Sequence, residues 1–108
     1  MAAVTGSVRI APEVLATIVN LTAVGVPGVV AMGVVPGHGL FSWRHDTTRG
    51  VRLTVRQNTV SVELYVVVAQ GINMVSAGTA IQDAITAAVR DMVGMEVKDV
   101  NIYIQNIE

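Results

Sequence analysis

Apolar and polar positions change period several times along the chain, and the clearest change lies in its second half. From Val60 to Ala69 the pattern alternates strictly, with Val60, Val62, Leu64, Val66 and Val68 on one face, which predicts a strand. Between Met74 and Val93 the period becomes helical. Ala77, Ile81, Ala84, Ala88 and Met92 form a stripe that Ile85 and Val89 widen to the breadth of a helix lying on a sheet. Asn73 suits the N-cap of that helix and Gly94 its left-handed exit. Alternation returns from Val97 to Ile107, where Val100, Ile102 and Ile104 interleave with Asn101, Tyr103 and Gln105.

The first half is read in the same way. Thr5 to Ile10 is a short strand candidate. Ala11-Pro12-Glu13 opens a helix, because Pro fits the first helical position and Glu favours the positive end of the helix dipole. Its expected inner side is Val14, Leu15, Ile18, Val19 and Thr22, and Gly25 and Pro27 end it near Val24. Val29 to Val35 is an apolar run, a strand broken around Gly33. Periodicity is lost over the long loop 36–50, whose Pro36-Gly37-His38-Gly39 start is turn chemistry. Val51, Leu53 and Val55 alternate with Arg52, Thr54 and Arg56, and Gln57-Asn58-Thr59 turns the chain into the Val60 strand, with Asn58 expected at positive φ. The predicted fold is α+β: a single two-layer domain over residues 1–108, in the order β-α-β-β-β-α-β, with two helices on one face of a mixed sheet.

Composition sharpens this picture. The chain is 52% hydrophobic and only 14% charged, so it has few charges with which to cover an outer surface, and some apolar surface is expected to meet another subunit or a partner. A net charge of −1 gives no global attraction to nucleic acid or anionic lipid. The absence of cysteine excludes disulfides, thiolate catalysis and sulfur-ligated metal. No signal-peptide pattern is visible at the start, and no stretch of about eighteen residues is apolar enough to span a membrane. The nearest in length, Met74 to Val93, is interrupted by Asp83, Arg90 and Asp91.

Candidate chemistry is sparse. His38 and His45 lie in the irregular loop near Asp46, but no register brings them together and no third metal ligand is evident. Ser42, Ser61 and Ser76 lack a strained glycine-flanked turn, and Glu13, Glu63, Asp83, Asp91 and Glu96 are not paired by spacing, so no catalytic, metal or cofactor site is expected. Gly37-x-Gly39 is not followed by a helix, and Gly25-Val-Pro-Gly28 places Pro27, which has no N–H, where a phosphate clamp needs donors. The one concentrated feature is basic and aromatic. Arg44, Arg49, Arg52 and Arg56 are four of the seven basic residues, beside Phe41 and Trp43. This cluster suits contact with a partner or single-stranded RNA, or simply solubilises the sheet with Arg52 or Arg56 paired to Glu63.

The chain also resembles the alkaline shock protein family, the envelope stress-response proteins of Gram-positive and related bacteria. The resemblance rests on Gly6-Ser-Val-Arg-Ile-Ala11, Val26-Pro-Gly-Val29, Gly50-Val-Arg-Leu-Thr-Val55, Val60 to Val68, Gly71-Ile72, Ala80-Ile-Gln82, Val89-Arg-Asp-Met92, Gly94, Val97 and Val100-Asn101-Ile102. These are mostly fold-determining positions. The resemblance implies a small cytoplasmic protein without catalytic activity or cofactor, self-associating, and held at the inner face of the membrane through a separate anchor protein. The chain departs from the family's charged character: it is rich in Val and Ala, lacks a charged C-terminal tail, and carries Trp43 in its long loop.

Overall fold

The computed structural model describes residues 9–36 and 47–108. Its elements are α1 (Pro12–Val24), β1 (Val29–Met32), β2 (Thr47–Thr48), β3 (Val51–Arg56), β4 (Thr59–Val68), α2 (Met74–Ala88), a π-helical turn (Val89–Val93) and β5 (Glu96–Ile107). The five strands form one mixed sheet organised on β4. β5 runs parallel to β4 along its whole length, from Thr59↔Glu96 to Val68↔Ile107. The opposite edge of β4 is shared end to end: β3 pairs antiparallel with Thr59–Leu64, and β1 pairs antiparallel with Val66–Val68. Tyr65 lies where the two meet. Its N–H donates to the Gly50 carbonyl (2.8 Å) and its carbonyl accepts from the Gly33 N–H (2.6 Å).

The alternation in β4 does what its period requires. Val60, Val62, Leu64, Val66 and Val68 are fully buried under the helices, together with Val51 and Leu53 of β3, and Val100 of β5 is buried beside them. The helices supply Leu15, Ala16, Val19 and Ala23 from α1 and Ile81 and Ile85 from α2, closed by Val89. The architecture is therefore the expected α+β domain with two helices on one face of a mixed sheet.

Several local expectations hold and others shift. Asn73 caps α2, its side-chain oxygen accepting from the Ser76 N–H at 2.9 Å, and Gly94 leaves the helical region at φ 77°. Pro12 sits in the first turn of α1. The inner face of α1 is rotated from the one predicted: Ala16 and Ala23 are buried and Val14 is exposed, because the small side chains let the helix approach the sheet closely. The second helix is α-helical only to Ala88. The Gly94 N–H bonds the carbonyls of both Val89 and Arg90, and this wider turn swings Met92 out of the predicted stripe into solvent. In the β3–β4 hairpin the positive φ belongs to Gln57 (55°) rather than Asn58, whose side chain is engaged instead with the Gly94 carbonyl at 3.2 Å. The expected loop 36–50 ends in a short hairpin, since Thr47–Thr48 pairs with Val51–Arg52. That pairing has too little apolar alternation to read from sequence. The predicted strand Thr5–Ile10 lies mostly outside the described residues, and Arg9 and Ile10 are not in a strand.

Candidate interaction surface

Two neighbouring surfaces are left uncovered by the helices: the open face of the sheet and the outer edge of β5. On the open face, alternation places Arg52, Thr54 and Arg56 of β3 beside Ser61, Glu63, Tyr65 and Val67 of β4 and Asp99, Asn101 and Tyr103 of β5. Tyr65 and Tyr103 face each other across the parallel pair and stack, with ring centroids 4.9 Å apart and planes 14° from parallel. Tyr65 is 8% exposed and Tyr103 47%, so the pair is an aromatic step leading from the sheet outward.

The Tyr65 hydroxyl donates to Glu63 Oε1 at 3.1 Å, and the same oxygen lies 3.8 Å from the Arg52 guanidinium. Arg52 also donates to the Pro36 carbonyl at 3.3 Å. Burial raises the Tyr65 pKa above its ordinary value, and the Glu63 hydrogen bond and charge add to this, with Arg52 opposing. The folded protein therefore keeps the phenol proton at a pH where the unfolded chain has lost it. Stability is full below pH ~10 and falls as pH rises through the folded pKa. Urea midpoints measured from about pH 8 to 11 should show this alkaline decline, and Tyr65→Phe should flatten it; an unchanged slope in the variant would assign the decline to other groups.

Two bulges shape β5. Relative to β4, Lys98 and Gln105 are extra residues. Freed from the alternation, the Gln105 side chain reaches back across the end of the sheet to the residue after Gly33. Its carbonyl oxygen accepts from the Val34 N–H (2.8 Å) and its amide donates to the Val34 carbonyl (2.7 Å), so one side chain imitates a strand partner. A Cβ on Gly33 would overlap this amide. The sequence shows Gly33 as the break in an apolar run and Gln105 as a polar position of the last strand, but not that they meet, because the bulge that brings them together has no signature of its own.

Among the described residues β5 has β4 as its only strand neighbour. A shallow groove follows its outer side, lined by Met74, Val75, Gly78 and Gln82 of α2 and by Ile102 and Ile104. The Gln82 amide donates to the Val100 carbonyl at 3.1 Å. A second apolar line runs along the outside of α1, where Val14, Leu21 and Val24 are exposed at helical spacing, Leu21 by 64%.

The predicted contact residues are only partly brought together. Arg52 and Arg56 share the open face, with Arg52 paired to Glu63. Arg49 lies in the β2–β3 turn, its carbonyl held by the Asn20 side chain at 2.9 Å. Trp43 and Arg44 lie outside the described residues, as do His38, His45 and Asp46; among the described residues no cluster of metal-ligating side chains occurs. No described helix is long and apolar enough to cross a membrane.

The model of the alkaline shock protein 23 family, described as having a cell envelope-related function, matches residues 1–108. The chain is 28% identical to the uncharacterized protein YqhY of Bacillus subtilis (strain 168), covering 95% of this chain and 78% of that protein. It is 24% identical to YloU of the same strain, covering 94% and 88%. Among solved structures, a variant form of the MamM CTD superposes with a TM-score of 0.54 at 17% identity, covering 89% of this chain and 96% of that one. A zinc form of another variant gives a TM-score of 0.52 at 20% identity, with 89% and 86% covered. These last similarities are of fold.

Proposed function

The chain belongs to the alkaline shock protein 23 family, whose function is cell envelope-related, and on that premise we propose that it is a non-enzymatic, self-associating scaffold that docks onto a membrane-anchored partner at the inner face of the envelope. The observation that carries the reading is the apolar surface that the fold leaves uncovered: Met74 and Val75 beside β5, and Val14, Leu21 and Val24 along α1. Apolar burial supplies affinity at such surfaces, and charged residues elsewhere on the protein supply orientation. Arg49, Arg52 and Arg56, with Trp43 and Arg44, are assigned that orienting role. An RNA-binding module is the less supported alternative, since the Arg52 guanidinium is already engaged by Glu63 and the Pro36 carbonyl. A salt-dependent shift with single-stranded RNA, lost in Arg52→Ala/Arg56→Ala, would reverse that order.

The docking step is tested with membranes of the source cell and with protein-free vesicles of the same lipids. Sedimentation with the native membranes alone is expected. Leu21→Arg, on an exposed site where stability should change by no more than about 0.5 kcal/mol, should reduce it sharply. Equal binding to protein-free vesicles, or none to either, would contradict a protein anchor.

A further inference from the structure

Resting on the self-association reading, we infer that the partner at the outer edge of β5 is a second copy of this chain, paired β5 to β5 in antiparallel fashion about a two-fold axis at Tyr103. The backbone directions follow from Tyr65. Its N–H and carbonyl are both spent on Gly50 and Gly33, on the side of β4 away from β5. Across the parallel pair, Tyr103 must then turn its own N–H and carbonyl toward β4, and Ile102 and Ile104 must turn theirs outward. Val100 faces outward too, and its carbonyl already holds the Gln82 amide. Gln105 is a bulge residue whose side chain is bound to Val34. Among the described residues, the regular and unoccupied part of the edge is therefore the short stretch centred on Tyr103.

Three features favour an identical copy over an unrelated strand. Val100 to Ile107 carries no charge, so a two-fold axis brings no like charges together there. Long uncharged edges are otherwise blunted by Lys, Pro or charge pairs. An identical edge also satisfies both unpaired strands at once, as an isologous contact does. Finally, an axis at Tyr103 places Ile102 opposite Ile104 of the other copy on the helix side, where they exchange backbone hydrogen bonds. On the open face the two half-exposed Tyr103 rings come side by side, extending each Tyr65–Tyr103 stack into a row of four rings.

The chain has no cysteine, so single substitutions report the register directly. In a non-hydrogen-bonded antiparallel pair the facing Cα atoms are about 4.5 Å apart, within disulfide range. Tyr103→Cys should form a covalent dimer under mild oxidation, and Ile102→Cys should not. Tyr103→Asp, with folding verified by circular dichroism, should weaken the dimer about tenfold or more by setting like charges opposite each other. A multimer that Tyr103→Asp leaves intact and Tyr103→Cys does not cross-link, or that cross-links through Ile102→Cys instead, would overturn this interface while leaving self-association standing. A wild-type chain that is monomeric throughout would overturn both.

Discussion

Leu64→Ala should lower the unfolding free energy by about 3 kcal/mol. Leu64 is fully buried in the strand that every other strand meets, directly or through β3. It pairs with Val51 on one side and Ile102 on the other, under a core closed by Ile81 and Ile85. Removing three carbons there leaves a cavity that a sheet fixed on both edges cannot close, so the loss exceeds the transfer term alone. A domain of this size has only about 5–15 kcal/mol in total. The urea midpoint should therefore fall steeply with an unchanged slope, whereas the same kind of truncation at exposed Val75 should leave it almost unmoved. A loss at Leu64 below about 1 kcal/mol would mean that the core is not organised on β4.

Gly50→Ala is expected to cost more than Gly94→Ala, although the two positions have nearly the same φ, 72° and 77°. At Gly94 an added Cβ meets nothing within 4 Å, so only the left-handed backbone is penalised, by about 1 kcal/mol. At Gly50 the Cβ would lie 2.7 Å from the Tyr65 carbonyl oxygen and 3.1 Å from both the Gly33 carbonyl oxygen and Met32 Cβ. The two oxygens belong to backbone that joins β1 and β3 on the edge of β4, and Met32 Cβ, bonded directly to the β1 backbone, is not the far end of a flexible side chain. The Tyr65 hydrogen bonds to Gly50 and Gly33 would have to open. A total cost of about 3 kcal/mol is expected, combining the conformational strain with a disrupted buried hydrogen bond. Chemical denaturation of the two variants in parallel separates close approach from φ; equal losses would show that the junction tolerates the extra carbon.

What the sequence reveals follows from which interactions have a period. The strict alternation of Val60 to Val68, the capping residues Asn73 and Gly94, and the Pro12 helix start are local features, and all appear in the structure as read. The faces of the helices were less legible. Ala16 and Ala23 carry little hydrophobic weight, yet they are buried because closeness to the sheet favours small side chains, and Val14 is displaced outward. A π-turn at Val89–Val93 changes phase without any marker residue before Gly94. The surface was legible only as chemistry: an apolar excess, the Arg52–Glu63 pairing, and Tyr103 alternating with the inward positions of β5. Its geometry was not. The Gln105 bond to Val34 joins residues 71 positions apart through a bulge, and the Tyr65 junction depends on two strands sharing one edge of a third. Such long-range features are decided by tertiary packing and leave no local pattern.

The most direct test of the scaffold reading is the absolute mass of the intact chain, measured by light scattering after size exclusion across a range of concentrations and at low and high salt. Association through apolar surface and a strand edge predicts a mass at least twice the 11.4 kDa of one chain, retained in high salt because ionic screening weakens charge contacts and leaves apolar burial in place. A mass of one chain at every concentration and salt would contradict it.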